Sequence, residues 1–198
     1  MPRPGYRTLR AYWASLPKAG PVVDGRRTLI RPLRPDDLEI ERAFVAGLSA
    51  ASLYSRMLSA GVTVSDESLH RLVEVDQRTN IAIAVTLPLH DGAETLLGVG
   101  RYALTADGRT ADFAITVRDD WQRKGLGTLL AEELMACAKA AGVHVLVGDV
   151  LRGNDAMMAL LRKLGFSMLA SADDPALAHA SRRLRRVRRV ALPAGILA

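Results

Sequence analysis

The chain has 198 residues, 49% of them hydrophobic and 24% charged, which is typical of a single folded domain of ordinary size. No apolar run approaches the ~18 residues of a membrane span, and the basic N-terminus lacks the hydrophobic block of a secretory signal. The single cysteine, Cys137, excludes an internal disulfide and fits a reducing cytosol, so we expect a cytoplasmic protein without a membrane partner.

The first part of the chain is rich in proline, glycine and arginine and is predicted to form a poorly packed arm, 1–25, for which Tyr6, Tyr12 and Trp13 are the candidate anchors. The folded domain is expected over 26–192, followed by a short tail at 193–198. Within the domain, 27–33 is a predicted strand. A proline followed by acidic residues then predicts a helix that begins at Pro35.

Apolar residues at helical spacing predict two further helices, at 49–58 and at 65–75, the second with a serine cap. Three strands separated by glycine-containing turns follow, at 80–89, 94–104 and 110–117. Because short turns join neighbouring strands, this part of the chain is expected to form an antiparallel meander.

The order of elements changes after the meander, where an amphipathic helix is predicted over 126–141. Its apolar stripe consists of Leu126, Leu130, Leu134, Cys137 and Ala141. The remaining elements are a buried strand, a capped helix and two final strands, at 143–150, 154–165, 166–170 and within 177–192. Together these elements predict an α/β (α+β) fold with a mixed, mostly antiparallel central sheet flanked by helices.

The segment 122–128 lies between a predicted strand and the helix that begins near Gly125. The first N–H groups of a helix have no internal partners and lie at the positive end of its dipole, so they bind phosphate well. Gly125 and Gly127 have no side chain that would keep a diphosphate from these amides, and Arg123 and Lys124 add positive charge. The alternative is a strand-to-helix turn eased by glycine, with solvated basic residues.

The stretch VRDDWQRKGLGTLL resembles the acyl-CoA loop of the GNAT superfamily of N-acetyltransferases, whose pattern is Gln/Arg-x-x-Gly-x-Gly/Ala. Gln122, Gly125 and Gly127 match that pattern. RTLIRPLRPDD resembles the first strand and helix start of the family, and NDAMMALLRKLGF resembles its asparagine-initiated helix. In order and spacing the resemblance covers roughly 27–170, and it implies a GNAT-like fold with acetyl-CoA as acyl donor.

The resemblance also implies a binding mode for acetyl-CoA. Loop amides would hold the diphosphate, the pantetheine arm would pair like a strand beside Ile115 and Val117, and Asn154 would face the cofactor. Asn154 is equally a good helix N-cap, and the two roles are compatible. The expected cofactor-binding residues are Ile115, Val117, Gln122, Arg123, Lys124, Gly125, Leu126, Gly127, Thr128 and Asn154.

Amine acetylation needs a base, acting directly or through a water, because a lysine ammonium with a pKa of ~10.4 has no free lone pair. Asp112 is the candidate, since it lies in an otherwise apolar strand where burial would raise its pKa. A solvated, turn-forming aspartate is the alternative. SAASLYSRML, ADFAITVRDDWQ and the Asn154 helix resemble bacterial protein-lysine acetyltransferases that act on acyl-CoA synthetases. That subgroup has a catalytic glutamate at the Asp112 position, so the shorter aspartate favours a water-mediated role.

Many GNAT enzymes protonate the leaving thiolate with a tyrosine after the asparagine helix, but no tyrosine follows Tyr102 here. His179, Ser181 or water are the possible substitutes, and both side chains are also compatible with ordinary surface or strand positions. The histidines lack metal-ligand spacing, so no metal site is predicted. Cys137 lies on an apolar helix stripe and is predicted to be a core residue.

The net charge is +6, and the stretch 182–189 alone contains six arginines. It is interpreted either as a nucleic-acid or acidic-partner patch or as a strand. In a strand, Leu184, Val187 and Val190 would pack inward while the arginines stay solvated. A nucleic-acid partner is the less favoured of the two.

The sequence therefore predicts a cytoplasmic, acetyl-CoA-dependent N-acetyltransferase. Its acceptor is expected to be a primary amine, foremost a protein lysine, that attacks acetyl-CoA directly in a ternary complex. A small-molecule amine acetyltransferase and a non-catalytic acyl-CoA-binding module are the alternatives. Exposed strands near the C-terminus leave room for a homodimer.

Overall fold

The computed structural model describes residues 8–58 and 64–184. In these residues the helices and strands follow in the order α1 (Leu9–Trp13), β1 (Lys18–Val23), β2 (Arg26–Pro32), α2 (Leu38–Ala46), α3 (Ala50–Met57), α4 (Asp66–Val73), β3 (Asn80–Pro88), β4 (Glu94–Leu104), β5 (Thr110–Val117), α5 (Leu126–Ala141), β6 (Val145–Leu151), α6 (Asp155–Lys163), β7 (Ser167–Ala170) and β8 (Leu177–Arg183). Single 3-10 turns precede α2 and α5, at Pro35–Asp37 and Asp119–Trp121. No helix among these residues is long and apolar enough to cross a membrane.

All eight strands belong to one sheet in the order β1-β2-β3-β4-β5-β6-β8-β7. Neighbouring strands are antiparallel except β5 and β6, which are parallel. The predicted mixed, mostly antiparallel sheet with flanking helices is therefore confirmed. The meander of β3, β4 and β5 is also confirmed, and β1 and β2 add two further antiparallel strands beside β3.

Alternation along β3 places two apolar layers on opposite faces of the sheet. Ile81 and Ile83 belong to the larger core, together with the buried face of α5. Ala82 and Ala84 belong to the smaller core, together with Phe44 of α2 and Val73 of α4. Both faces of the sheet are thus covered by apolar cores. A binding site can therefore form at the ends of the central strands.

The predicted stripe of α5 is the inner face of that helix. Leu126, Leu130 and Leu134 are buried, and Cys137 is fully enclosed. Burial raises the pKa of the Cys137 thiol to about 12, and its sulfur lies 3.9 Å from the Tyr102 hydroxyl. Cys137 is therefore a core residue without a reactive thiolate.

Residues 8–25 pack into the domain, against the expectation of a poorly packed arm before residue 26. Tyr12 on α1 is fully buried and donates a hydrogen bond to Oε2 of Glu133 on α5 at 3.0 Å. Lys18 on β1 donates to the same oxygen at 2.9 Å. The fold thus begins N-terminal to the expected boundary, while 1–7 and the expected tail at 193–198 lie outside the described residues.

Only the first three residues of the arginine-rich stretch 182–189 are described. Leu184 is buried in the larger core and Arg182 is partly buried beside it, as the strand interpretation requires at these positions. Val187 and Val190 lie outside the described residues, so the interpretation of the remaining stretch stays a prediction.

Candidate active site

The site forms where the two parallel strands separate. β5 and β6 pair only from Thr110 to Asp112, and β5 then continues with no partner strand on that side among the described residues. The last close approach requires glycine, since a Cβ at Gly148 of β6 would lie 2.9 Å from the Phe113 carbonyl oxygen. The gap opens into a cleft of about 860 Å³, a volume typical of cofactor sites.

The N-terminus of α5 lies at one end of this cleft. Gly125 precedes the helix with a φ of +87°, a left-handed conformation that side chains disfavour, and a Cβ there would meet no atom within 4 Å. The first internal hydrogen bond runs from the Leu129 amide to the Gly125 carbonyl oxygen, and no side chain caps the helix. The amides of the first turn are therefore open to an anionic ligand.

Gly127 also lies close to α6. A Cβ at this position would lie 3.4 Å from Cδ2 of Leu160 on α6, which is an ordinary van der Waals distance. Packing against α6 therefore does not itself require glycine here, and the reason for glycine that remains is access to the loop amides.

Eight of the ten predicted cofactor-binding residues line the cleft, namely Ile115, Val117, Gln122, Arg123, Gly125, Gly127, Thr128 and Asn154. The side chains of the other two point elsewhere. Lys124 forms an ion pair with Asp24 at 2.5 Å and lies 5.1 Å from the centre of the Trp121 ring. Leu126 is 1% exposed in the core. In the structure these two side chains are thus directed away from the cleft, and the predicted roles of both residues in binding the cofactor stay predictions.

The loop is tied to α3, a connection that the sequence analysis missed. The Gln122 side-chain amide donates to the Ser52 hydroxyl at 3.1 Å and to the Val117 carbonyl oxygen at 3.2 Å. Asp119 accepts hydrogen bonds from Ser49 and Ser52. Because α3 is held over the cleft in this way, its residues form one wall of the site.

Asn154 caps α6, accepting a hydrogen bond from the Met157 amide through Oδ1 at 3.1 Å. It also lines the cleft beside the loop. The capping role is therefore observed, and the predicted contact with the cofactor stays a prediction compatible with it.

Asp112 lies where β5 and β6 separate, at the end of the cleft away from the α5 N-terminus. Its side chain is exposed in the cleft, so it is not the buried carboxylate expected from the sequence. Its pKa is nevertheless raised, first by partial desolvation in the cleft and then by the negative charge of Asp149. His179 and Arg56 act in the opposite direction and are outweighed.

Asp149 was also missed, although it interrupts an apolar run in β6. It lies opposite His179 of β8 in the strand register, and the His179 Nδ1 is 3.0 Å from its Oδ1. His179, considered from the sequence as an acid for the leaving thiolate, is thus held by a carboxylate near Asp112. Ser181 pairs with Val147 further along β8. No group of three or more metal-binding side chains occurs among the described residues.

Comparison with known proteins identifies the fold and the family. A family model described as "Acetyltransferase (GNAT) domain" matches residues 27–167. Acetyltransferase PA5475 of Pseudomonas aeruginosa is 34% identical over 151 residues, covering 76% of this chain and 81% of the relative. Acetyltransferase Pat of Mycolicibacterium smegmatis is 30% identical over 146 residues, which is 73% of this chain and 42% of Pat.

Two further matches are a partial sequence match and a structural match at low sequence identity. An L-methionine sulfoximine/L-methionine sulfone acetyltransferase of Pseudomonas paraeruginosa is 39% identical over 85 residues, or 39% of this chain and 48% of the relative. The crystal structure of the GNAT domain of S. lividans PAT superposes with a TM-score of 0.74 at 22% identity, covering 85% of this chain and 97% of that domain. Together with the cleft, the family match shows that this chain belongs to the GNAT family of acetyltransferases.

Proposed function

We propose that the enzyme transfers an acetyl group from acetyl-CoA to a primary amine that attacks directly in a ternary complex. The observation that carries this proposal is the arrangement of one cleft. It has an uncapped helix N-terminus at one end, an unpaired edge of β5 along its side, and a carboxylate with a raised pKa at the other end.

The donor fits this cleft in one direction. The diphosphate would accept hydrogen bonds from the amides at the start of α5, where Gly125 leaves the approach open. The pantetheine arm would pair with the β5 edge at Ile115 and Val117, using main-chain groups that β6 does not use. This orientation brings the thioester toward Asp112.

The reaction then needs one proton acceptor. Asp112, directly or through a water, takes a proton from the acceptor ammonium, and the neutral nitrogen attacks the thioester carbonyl carbon. The new C–N bond forms, the C–S bond breaks, and the second proton of the attacking nitrogen passes through solvent to the CoA thiolate. A raised pKa makes Asp112 a better proton acceptor than an ordinary aspartate.

We propose a protein lysine as the first candidate acceptor. We also propose that the reaction takes place in the cytosol. The cleft is open to solvent, so a side chain presented by a larger molecule can enter it. Asp112 and Asp149 give the acceptor end a negative charge that attracts an ammonium group. The sequence similarity to Pat supports the same choice.

A small amine is the second candidate. It is favoured by the partial match to an enzyme named for L-methionine sulfoximine and L-methionine sulfone. Both candidates use the same donor site and the same base, and they differ only in what surrounds the reactive nitrogen.

The test combines calorimetric titration of acetyl-CoA with thiol release over a panel of lysine peptides, amino acids and polyamines. We expect binding of acetyl-CoA and release with at least one amine class. Binding without release from any of them would instead indicate a non-catalytic acyl-CoA-binding module. No binding at all would refute the donor site.

A further inference from the structure

Arg56 lies on α3, and its side chain borders two cavities. It lines the main cleft on the same side as Asp112, and it lines a small cavity of about 20 Å³ beneath α3 with Glu41 and Arg101. The side chain is partly buried, and it forms no hydrogen bond or ion pair with any residue that the structure describes. A guanidinium in such a position requires an explanation, because partly desolvated charges are normally paired.

The buried carboxylate beside Arg56 is bonded to another arginine through one of its two oxygens. Glu41 is 2% exposed and its Oε1 accepts a hydrogen bond from Nη2 of Arg101 at 2.6 Å, while its Oε2 has no hydrogen-bond partner among the described residues. Burial lowers the pKa of Arg56, whereas Glu41 and Asp112 raise it through their charge alone. Arg56 and Arg101 thus share the charge of Glu41, and the Arg56 guanidinium lines the cleft without a hydrogen bond to either oxygen.

No acidic side chain among the described residues forms a hydrogen bond or ion pair with Arg56. The stretches outside the described residues, 1–7, 59–63 and 185–198, contain neither aspartate nor glutamate. Among the carboxylates that line the cleft, Asp119 is engaged by two serines and Asp149 lies against His179, while Asp112 acts on Arg56 only through its charge. The hydrogen-bond donors of the guanidinium are therefore available to a carboxylate of a ligand.

The position of Arg56 points to the acceptor and not to the coenzyme diphosphate. Ser49, at the start of α3, is bonded to Asp119 just before the loop. Arg56 lies two turns further along α3, or about 10 Å at 1.5 Å per residue, and it is coupled electrostatically to Asp112 at the opposite end. Arg123, which lines the cleft at the loop, is the cation placed for the diphosphate.

We propose that Arg56 recognises a carboxylate group of the acceptor, so that the preferred substrates are amines that bear a carboxylate near the reacting nitrogen. This rests on the proposed function and specifies its substrate class. The planar guanidinium binds a carboxylate through two parallel hydrogen bonds, while Asp112 receives the ammonium. The carboxylate can belong to a free amino acid or to an acidic residue beside a lysine, and both present the same chemistry to Arg56.

The experiment compares two matched pairs of acceptors with wild type and Arg56→Gln. One pair is a lysine peptide flanked by glutamates and its twin flanked by glutamines. The other is L-methionine and L-methioninamide. The readout is kcat/KM for thiol release, taken as the ratio within each pair, because amidation also changes the pKa of the amine itself.

In wild type we expect a preference of about 10-fold or more for the carboxylate member of one pair, as a charge-assisted hydrogen bond provides. That pair identifies the source of the carboxylate. Arg56→Gln should abolish the preference and leave acetyl-CoA affinity unchanged. Arg71→Gln, which removes an exposed arginine of α4 far from the cleft, should leave the preference intact.

Equal rates within both pairs in wild type would overturn the proposal, as would a preference that survives in Arg56→Gln. Lower kcat with unchanged discrimination would also overturn it, because Arg56 would then only position Asp112. If wild type released no thiol with any amine, the proposed function would fail. Calorimetric binding of the same pairs to the enzyme–CoA complex would still decide whether Arg56 selects a carboxylate.

Discussion

Asp119 accepts two hydrogen bonds from Ser49, one from its amide at 2.9 Å and one from its hydroxyl at 2.8 Å. The Ser52 hydroxyl donates to the same carboxylate at 2.7 Å and also accepts a hydrogen bond from the Gln122 side chain. One exposed aspartate thus joins the first turn of α3 to the loop that is proposed to hold the diphosphate. The two ends of the active site depend on each other through this contact.

Asp119→Ala should therefore weaken acetyl-CoA binding severalfold, although Asp119 is not proposed to bind the coenzyme diphosphate itself. We expect a loss of about 1–2 kcal/mol in the free energy of unfolding, since the three hydrogen bonds are exposed to water. Calorimetric titration and chemical denaturation measure the two effects. The neighbouring Asp120→Ala serves as control, because the Asp120 side chain pairs with Arg118 at the surface, and a similar loss in both variants would contradict the prediction.

The same contact predicts a pH dependence of stability. Partial burial alone would raise the pKa of Asp119, but the hydrogen bonds from Ser49 and Ser52 outweigh it and lower the pKa below its usual 3.8. A depressed folded-state pKa contributes stability above the unfolded-state value, and this contribution is lost as pH falls through the folded-state value. Wild type and Asp119→Ala should converge in unfolding free energy in acid, and a constant difference down to pH 2 would contradict this.

Gly125→Val should abolish or strongly weaken acetyl-CoA binding while the protein stays folded. The valine would stand in the open approach to the first amides of α5, and the φ of +87° would cost roughly 1–2 kcal/mol. Gly92→Val is a matched control, since Gly92 has a φ of +84° and equally open surroundings in a turn away from the cleft. Both variants should lose similar stability, and only Gly125→Val should lose affinity. Unchanged affinity would count against the diphosphate site.

Asp112→Asn should lower kcat by about 10² to 10⁴-fold, the usual contribution of a general base, with little effect on acetyl-CoA affinity. Because desolvation and Asp149 raise the pKa of Asp112 in the folded state, its ionised form opposes folding. The amide should therefore be at least as stable as wild type at neutral pH. Asp112→Glu should retain substantial activity, since it keeps the carboxylate and reaches further. Full activity in Asp112→Asn would refute its role as base.

The pair Asp149–His179 should set the acid limb of the pH–rate profile. Activity requires ionised Asp112, so kcat/KM falls as pH drops through its raised pKa. Asp149→Asn removes a negative neighbour and should move this limb to lower pH. His179→Gln removes a side chain whose charge lowers the pKa of Asp112, and it should move the limb to higher pH. Shifts in the same direction for both variants would exclude this electrostatic origin.

Local patterns were sufficient to predict the helix α5, the meander and the loop at Gly125. These features depend on hydrophobic periodicity, on the positions of glycine and on the residues at helix ends, all of which can be recognised within a short stretch of sequence. The eight lining residues of the donor end follow from the same short segments and from Asn154. The side-chain directions of Lys124 and Leu126 could not be predicted from these segments. Lys124 is directed by its ion pair with the distant Asp24, and Leu126 by its burial in the core.

The acceptor end depended on contacts between distant parts of the chain. Asp149 meets His179 only through the register of β6 and β8. Arg56 becomes notable only because the neighbouring Glu41 is bonded to Arg101 and the Arg56 side chain lines the cleft. No spacing within the sequence encodes such relationships, and they became visible only when the strands and helices were assembled.

At the N-terminus, the content of proline and glycine led to the wrong expectation, because the segment that contains Tyr12 packs into the domain. Tyr12→Phe removes one of the hydrogen bonds to the buried Glu133 carboxylate, so it should cost about 1.5–3 kcal/mol in unfolding free energy. Tyr54→Phe removes the hydroxyl of a tyrosine that is 39% exposed and should be nearly neutral.

A chain that starts at residue 26 loses both Tyr12 and Lys18 and leaves Glu133 without either contact, so it should unfold without cooperativity. Denaturant titration followed by circular dichroism measures all three. A shortened chain with wild-type stability would restore the domain boundary expected from composition.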